Sequence, residues 1–497
     1  MNTGVGFTKI DLVILIVYLA AVLLIGILFS KKDMKGKEFF KGDGTIPWWV
    51  TSVSIFATLL SPISFLSLAG ISYKGTWLLW FAQLGIFVAV PLTIKFFLPI
   101  YSRLDIDTAY HYLEIRFGSK TLRILGSIMF IIYQIGRMSI IMFLPCVALA
   151  PLIGINVNIL IIIMGVIAII YSYTGGLKSV LWTDFIQGSV LIIGVVFALI
   201  YLLTNIDGGI STVLQELTNN NKFLSPDEPI FDINILKSSV FIILIGSGFN
   251  TFASFISSQD IVQRFTTTTD TKKLNKMMLT NGALSLFIAT VFYLIGTSLY
   301  VFYSGPNVVD IEKDKIFAHY IAYELPVGIT GILLAAIYAA AQSTLSTGLN
   351  SVATSWSLDI QPYINKDISE AQQTRLAQYI SLGIGILTII ISILLANGGI
   401  DSAYQTFNAF MGLVLGVLVG IFVLGAFTKT ANAKGTLVAF IVASIVIIII
   451  KYKLTFITSW SYAIISIVVS LVVGLIASKF FKEDAPLKEE ATIYYKK

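Results

Sequence analysis

Long apolar stretches dominate this chain, and the charged positions between them mark the ends of the elements. Runs without Asp, Glu, Lys or Arg cover Leu12–Ser30, Pro47–Tyr73, Gly75–Ile94, Phe185–Ile206, Ser238–Gln259, Met277–Val309, Leu325–Leu358, Leu376–Ile400, Ser402–Thr428, Gly435–Ile450 and Leu454–Ser478. A further run, Met138–Leu177, joins Ile124–Gly136 across the single charge Arg137 and holds two helices with a turn near Pro151–Asn156. A bilayer core of about 30 Å needs roughly 20 apolar residues per crossing helix. The pattern therefore predicts an all-α polytopic membrane protein with thirteen transmembrane helices.

Interruptions inside the spans carry the next level of information. Irregular backbone is tolerated at membrane depth only where protein or a cavity satisfies it. In many secondary transporters two helices, one in each half of an inverted repeat, are interrupted near the midplane and bind ion and solute there. The second span contains Thr58-Leu59-Leu60-Ser61-Pro62-Ile63-Ser64. Pro62 has no N–H for the Thr58 carbonyl four residues back. The seventh span contains Gly246-Ser247-Gly248-Phe249-Asn250-Thr251, and a second break is expected there. Spans five apart suit a five-plus-five repeat; a proline kink and glycines for close helix packing are the plainer account.

The ninth span carries a polar stripe. At about 100° per residue, Ser343, Ser346, Thr347 and Asn350 share one face, with Thr344 and the Ala340 carbonyl at its edge. Hydroxyl and carbonyl oxygens suit a hard cation, although Ser and Thr also bond back to their own helix. Arg137 lies mid-span, where an arginine costs about 2.5–3.5 kcal/mol on insertion scales and needs a partner. It offers a guanidinium fork to a solute carboxylate, or a structural ion pair with Asp184 or a helix-end carbonyl. Asp184, near one end of the sixth span, could serve a cation, Lys178 or a helix cap. Gln83 could meet a solute hydroxyl or act as interhelical glue.

Composition narrows the class further. The 497 residues are 56% hydrophobic and 12% charged, against about 25% charged in soluble proteins. This excludes a soluble enzyme, a disordered chain and a collagen-like fibre. The net charge of +6 is explained by topology. Loops assigned to the cytoplasm hold 24 Lys and Arg, and those assigned outside hold 8, as the positive-inside rule requires. No nucleic-acid partner is needed. The lysines Lys31, Lys32, Lys35, Lys37 and Lys41 follow the first span rather than precede it, so that span reads as an uncleaved anchor with its N-terminus outside and the C-terminus cytoplasmic. Cys146, His111 and His319 build no metal site.

Taken together, three segments resemble the sodium/solute symporter family: Tyr173-Thr174-Gly175-Gly176-Leu177 with Trp182-Thr183-Asp184-Phe185-Ile186-Gln187, Gln259-Asp260-Ile261-Val262-Gln263-Arg264, and Ala340 to Asn350. The resemblance covers nearly the whole chain and is greatest to the bacterial sodium/sialic acid symporters. It implies a leucine-transporter-like five-plus-five core. The chain then divides into an N-terminal extra helix and loop (1–46), a first repeat (47–206), a loop outside (207–235), a second repeat (236–428) and two C-terminal helices with a tail (429–497). It implies one sodium ion on the carbonyls of Ala57, Leu60 and Ala340 and the hydroxyls of Ser343 and Thr344. A second is implied at Asp184, Ser343, Ser346 and Thr347. Ser61, Ser64, Gln83 and Arg137 would bind the solute, an anionic sugar such as N-acetylneuraminate. Leu59, Pro62 and Leu79 depart from the family pattern and bear on the exact solute.

The expected function is sodium-coupled import by alternating access, by a monomer in the plasma membrane, not an enzyme. Within the same fold, proline, a neutral sugar or a carboxylated vitamin are alternative cargoes. A channel usually shows rings of like charge or repeated filter sequences, and a sensor a soluble signalling domain. Neither pattern occurs, and the tail after Ser478 has only 19 residues.

Overall fold

The computed structural model describes residues 7–29, 36–42, 44–232, 238–304, 311–313, 315–365, 368–398, 403–481 and 488–495. The described residues form helices and no strand. Ten helices are long and apolar enough to cross a membrane, and a bent pair makes an eleventh candidate span. Two shorter apolar stretches, Val157–Ile170 and Gly412–Phe427, accompany them.

The main elements are α1 (Lys9–Phe29), α2 (Trp48–Leu59), α3 (Pro62–Lys74), α4 (Leu78–Leu104), α5 (Ala109–Phe117), α6 (Lys120–Ile153), α7 (Val157–Thr204), α8 (Val240–Ser257), α9 (Gln259–Phe265), α10 (Thr271–Tyr303), α11 (Ile329–Ser355), α12 (Glu370–Gly398), α13 (Ala403–Phe427), α14 (Ala433–Lys453) and α15 (Tyr462–Phe480). Helix α11 is the axis of the bundle. Every residue from Leu333 to Ser355 is buried, and α7, α6, α1 and α12 surround it. Its small residues, Ala339-Ala340-Ala341 and Gly348, allow this close approach.

Pro62 starts α3 as its first residue, where a missing N–H costs nothing. The chain bends by 62° between α2 and α3, and Leu60 and Ser61 are extended. The expected interruption of the second span is therefore present. The expected break at Gly246–Thr251 is corrected: α8 runs unbroken through it. Those glycines instead permit backbone-to-backbone packing. A Cβ on Gly248 would sit 3.1 Å from the Gly85 carbonyl, and one on Gly246 only 2.3 Å from the Trp460 carbonyl. The second interruption lies at Ser258, a single extended residue between α8 and α9.

Within α7 two helices meet at a kink at Gly176, whose φ of 55° and ψ of −166° only glycine adopts readily. Phe39 packs against it so closely that a Cβ would lie 2.8 Å from the Phe39 carbonyl. Asp11 on α1 accepts from the N–H groups of Gly328 and Gly331 at 2.8 and 2.9 Å, capping the start of α11 from another helix.

The loop after α7 folds back on α3. It contains a helix, Gly209–Asn219; residues 233–237 of this loop lie outside the described residues. The Lys222 ammonium donates to the carbonyls of Ser72, Tyr73 and Gly75 at 3.3, 2.7 and 3.0 Å, satisfying the end of α3. Burial holds Lys222 below the usual lysine range, at about 8. Several basic residues counted as topological signals are also structural. Arg116 donates to the Gly425 and Thr428 carbonyls, and Arg123 to Asp359.

Candidate solute and ion sites beside two helix breaks

The freed carbonyls at the end of α2 organise the site. With no proline N–H to bond it, the Thr58 carbonyl accepts from Arg137 Nη2 at 2.7 Å. Arg137 comes from α6 and is buried. Its other terminal nitrogen donates to Asp260 of α9, and its Nε has no partner. Of the two structural partners that the sequence offered Arg137 beside a solute, the helix-end carbonyl is present, that of Thr58, whereas the carboxylate paired with it is that of Asp260 and not Asp184. Asp260 also accepts from the Ser258 hydroxyl, so the second break supplies both the counter-charge and its orienting group.

A cavity of about 200 Å³ opens onto this pair. Its lining includes Leu59, Leu60, Ser64, Gln83, Tyr133 and Arg137, together with Ser247, Asn250, Thr251 and Ser254 of α8 and Asp260 of α9. Ser64, Gln83 and Arg137, chosen from sequence, thus share one chamber. Ser61 does not line it; this residue precedes α3 and is buried. The polar residues of α8 were misread as a helix break, and the structure makes them cavity wall. Spacing held the missed signal: Ser247, Asn250, Thr251 and Ser254 follow helical periodicity on one face.

The polar stripe of α11 faces the α2 end. The Thr344 hydroxyl lies 3.1 Å from the Ala340 carbonyl and 3.4 Å from that of Thr58. The oxygens implied for the first ion position thus come from α2, from the extended Leu60 just after it and from α11, and α2 and α11 pack together. Lower on the stripe, Asp184 of α7 accepts from Ser54 at 2.6 Å and from Thr347 at 3.0 Å. Ser343 stands beside the same carboxylate, yet Ser343 Oγ and Asp184 Oδ1 are buried without a hydrogen-bond partner. Ser346 donates to the Ser343 carbonyl at 3.1 Å. Orphaned oxygens next to a buried carboxylate suit a hard cation.

Sequence reasoning assigned no role to Arg264, which the structure places at this carboxylate. Its Nη2 donates to Asp184 at 2.8 Å and to Thr347 at 2.6 Å, and its Nε to Ser54 at 3.0 Å. Asp260 and Arg264 stand four residues apart on α9, and both are buried. A buried ion pair that loses one partner costs about 3–5 kcal/mol, so removing a single charge from either pair is expected to destabilise the protein.

Comparison with known proteins fits this geometry. The model of the sodium:solute symporter family matches residues 39–443. The chain is 34% identical to the sodium/sialic acid symporter SiaT of Proteus mirabilis, over 97% of each chain. It is 30% identical to the sodium/sialic acid symporter NanT of Aliivibrio fischeri, over 96% of this chain and 95% of that protein. A solved substrate-bound, outward-open state of a Na⁺-coupled sialic acid symporter superposes with a TM-score of 0.90 at 33% identity, covering 97% of this chain and 99% of that one. The helical architecture is that of the leucine-transporter-like carriers, and with the family model spanning most of its length, this chain belongs to the sodium:solute symporter family.

Proposed function

We propose that the protein imports an anionic sugar of the sialic acid class together with sodium, by alternating access. One observation carries the choice of cargo: a buried arginine, Arg137, reaches a cavity of about 200 Å³ while anchored to the Thr58 carbonyl of a broken helix. The Arg137 Nε is without a partner, and the fork becomes available to a solute carboxylate when that carboxylate takes the place of Asp260; Gln83 and Ser64 supply partners for hydroxyl and amide groups. The relatives described as sialic acid symporters support the same reading.

In the proposed cycle one sodium ion sits on the carbonyls of Ala57, Leu60 and Ala340 and the hydroxyls of Ser343 and Thr344. A second sits on Asp184, Ser343, Ser346 and Thr347. Ser61 lies in the first break, buried and outside the cavity lining. Two sodium ions with one anion move net charge, and each inward charge gains about 2.3 kcal/mol per 100 mV. The chain works as a monomer with thirteen spans in the plasma membrane, the N-terminus outside and the C-terminus cytoplasmic. The core divides into repeats 47–206 and 236–428, with 1–46, the loop 207–235 and 429–497 added around it.

Uptake of radiolabelled N-acetylneuraminate into proteoliposomes tests this directly. Accumulation is expected with an inward sodium gradient and not when choline replaces sodium. Arg137→Ala is expected to lower uptake at least about a hundredfold, the loss of a charge-assisted bidentate contact and more. Near-normal uptake by that variant would refute the assignment.

A further inference from the structure

The four buried charges between the cavity and the ion position form one alternating row. Arg137 holds Asp260, and the Arg264 side chain donates to the Asp260 backbone carbonyl and to the Asp184 carboxylate. Two positive and two negative groups sum to zero. The row begins at the solute cavity, which Arg137 and Asp260 line. It ends among the oxygens of Asp184, Ser343 and Thr347.

We propose that Asp260 and Arg264 are positioning residues that couple solute and sodium by exchanging partners; the inference rests on the functional reading above. In this structure Asp260 occupies the guanidinium that the solute carboxylate needs. Arg264 likewise occupies Asp184 and Thr347, which the cation needs. An anion on Arg137 displaces Asp260. Asp260 and Arg264 are four residues apart on one short helix, so the released carboxylate has a cation within reach on its own face. Arg264 turning toward it leaves Asp184 for sodium. In the other direction, sodium on Asp184 displaces Arg264, which draws Asp260 away and opens Arg137.

Charge conservation explains why the two events favour each other. A carboxylate alone makes the buried row net negative, and a cation alone makes it net positive. Both together restore zero, and every group keeps an opposite partner. In a low-dielectric interior an unpaired charge is strongly disfavoured, so the singly loaded states are the unstable ones. The coupling is a linkage between two sites and must be reciprocal. It requires no movement larger than two side chains at the Ser258 break. Ser54, which accepts from Arg264 Nε and donates to Asp184, marks the pivot.

Binding of radiolabelled sodium and of N-acetylneuraminate to the purified full-length protein, each measured with and without the other, tests the exchange. In the natural protein, saturating N-acetylneuraminate is expected to raise sodium affinity about tenfold. In Asp260→Asn that factor is expected to fall below about twofold, while sodium-free N-acetylneuraminate binding tightens at least about threefold because the competing carboxylate is gone. A merely structural role for Asp260 would not tighten binding. Arg264→Lys keeps the charge but not the bridge, and is expected to lower the factor in the same way; Asp260→Glu is expected to restore it. Variants that keep the natural factor, or an Asp260→Asn that binds the sugar more weakly, would overturn the exchange alone. A natural protein that binds neither probe would overturn the functional reading as well.

Discussion

The two helix breaks solve the same problem with opposite chemistry. At Leu60–Ser61 the interruption exposes backbone: Pro62 removes a donor, α2 and α3 diverge by 62°, and the Thr58 carbonyl turns to Arg137. At Ser258 a single extended residue interrupts the chain, and what it presents is side chains, with Ser258, Asp260 and Arg264 all within seven residues. One break offers neutral acceptors, which suit sodium without adding charge. The other offers paired charges, which can change partners. A carrier that must bind a cation and an anion together gains from having one of each.

Substitutions can sharpen or break that contrast, beginning with the loss expected for Arg137→Ala, which joins the two breaks. Gly246→Ala probes the region wrongly expected to be interrupted. With the Trp460 carbonyl 2.3 Å from the added Cβ, overpacking is expected to cost about 1–3 kcal/mol. A lower midpoint in thermal unfolding checks it, and an unchanged midpoint would return the glycines to a flexible role. Ser346→Ala with Thr347→Ala is aimed at the Asp184 end. Charge moved per sugar, measured electrophysiologically, is expected to fall by about one elementary charge, because one of two proposed ions is lost. An unchanged ratio would remove the second ion position.

Pro62→Ala is expected to have a smaller effect, about two- to tenfold in sodium affinity. The Thr58 carbonyl stays occupied by Arg137 even when an N–H becomes available, so the competing helical bond gains only about 0.5–1.5 kcal/mol. A complete loss of sodium binding would show that the proline, not the arginine, holds the break open. The smallest effect concerns the loop over α3. Lys222, held at about 8 by burial, titrates below the ordinary lysine value of 10.5. The undocked or unfolded form therefore binds more proton between those values, and docking strengthens as pH rises through that window. Amide hydrogen exchange of the loop helix Gly209–Asn219, corrected for the intrinsic pH dependence of exchange, is expected to slow as pH rises above 8. The pH dependence is expected to vanish in Lys222→Met.

Much of the architecture was legible in the chain because lipid imposes it. Apolar length alone marks the helices, since unsatisfied backbone is not tolerated in a bilayer, and Pro62 marks its own break through a missing hydrogen. Ser343, Ser346 and Thr347 declare a shared face through helical periodicity. The partner of Arg137 was not legible. Arg137 and Asp260 are 123 positions apart and meet only because α6 and α9 converge. Asp184 was seen as a carboxylate in search of a partner, but Lys178 is nearer in sequence than Arg264, and only packing chooses between them. Gly246 and Gly248 carry the composition of a break, yet whether a glycine bends a helix or admits a neighbour depends on what stands beside it. By itself, then, the sequence determined the all-helical membrane class, the first break and the oxygen-rich stripe, because these follow from local bonding and from the solvent. The tertiary structure decided the charge pairing and the true second break, because burial makes each charge take whichever opposite group the bundle brings within reach.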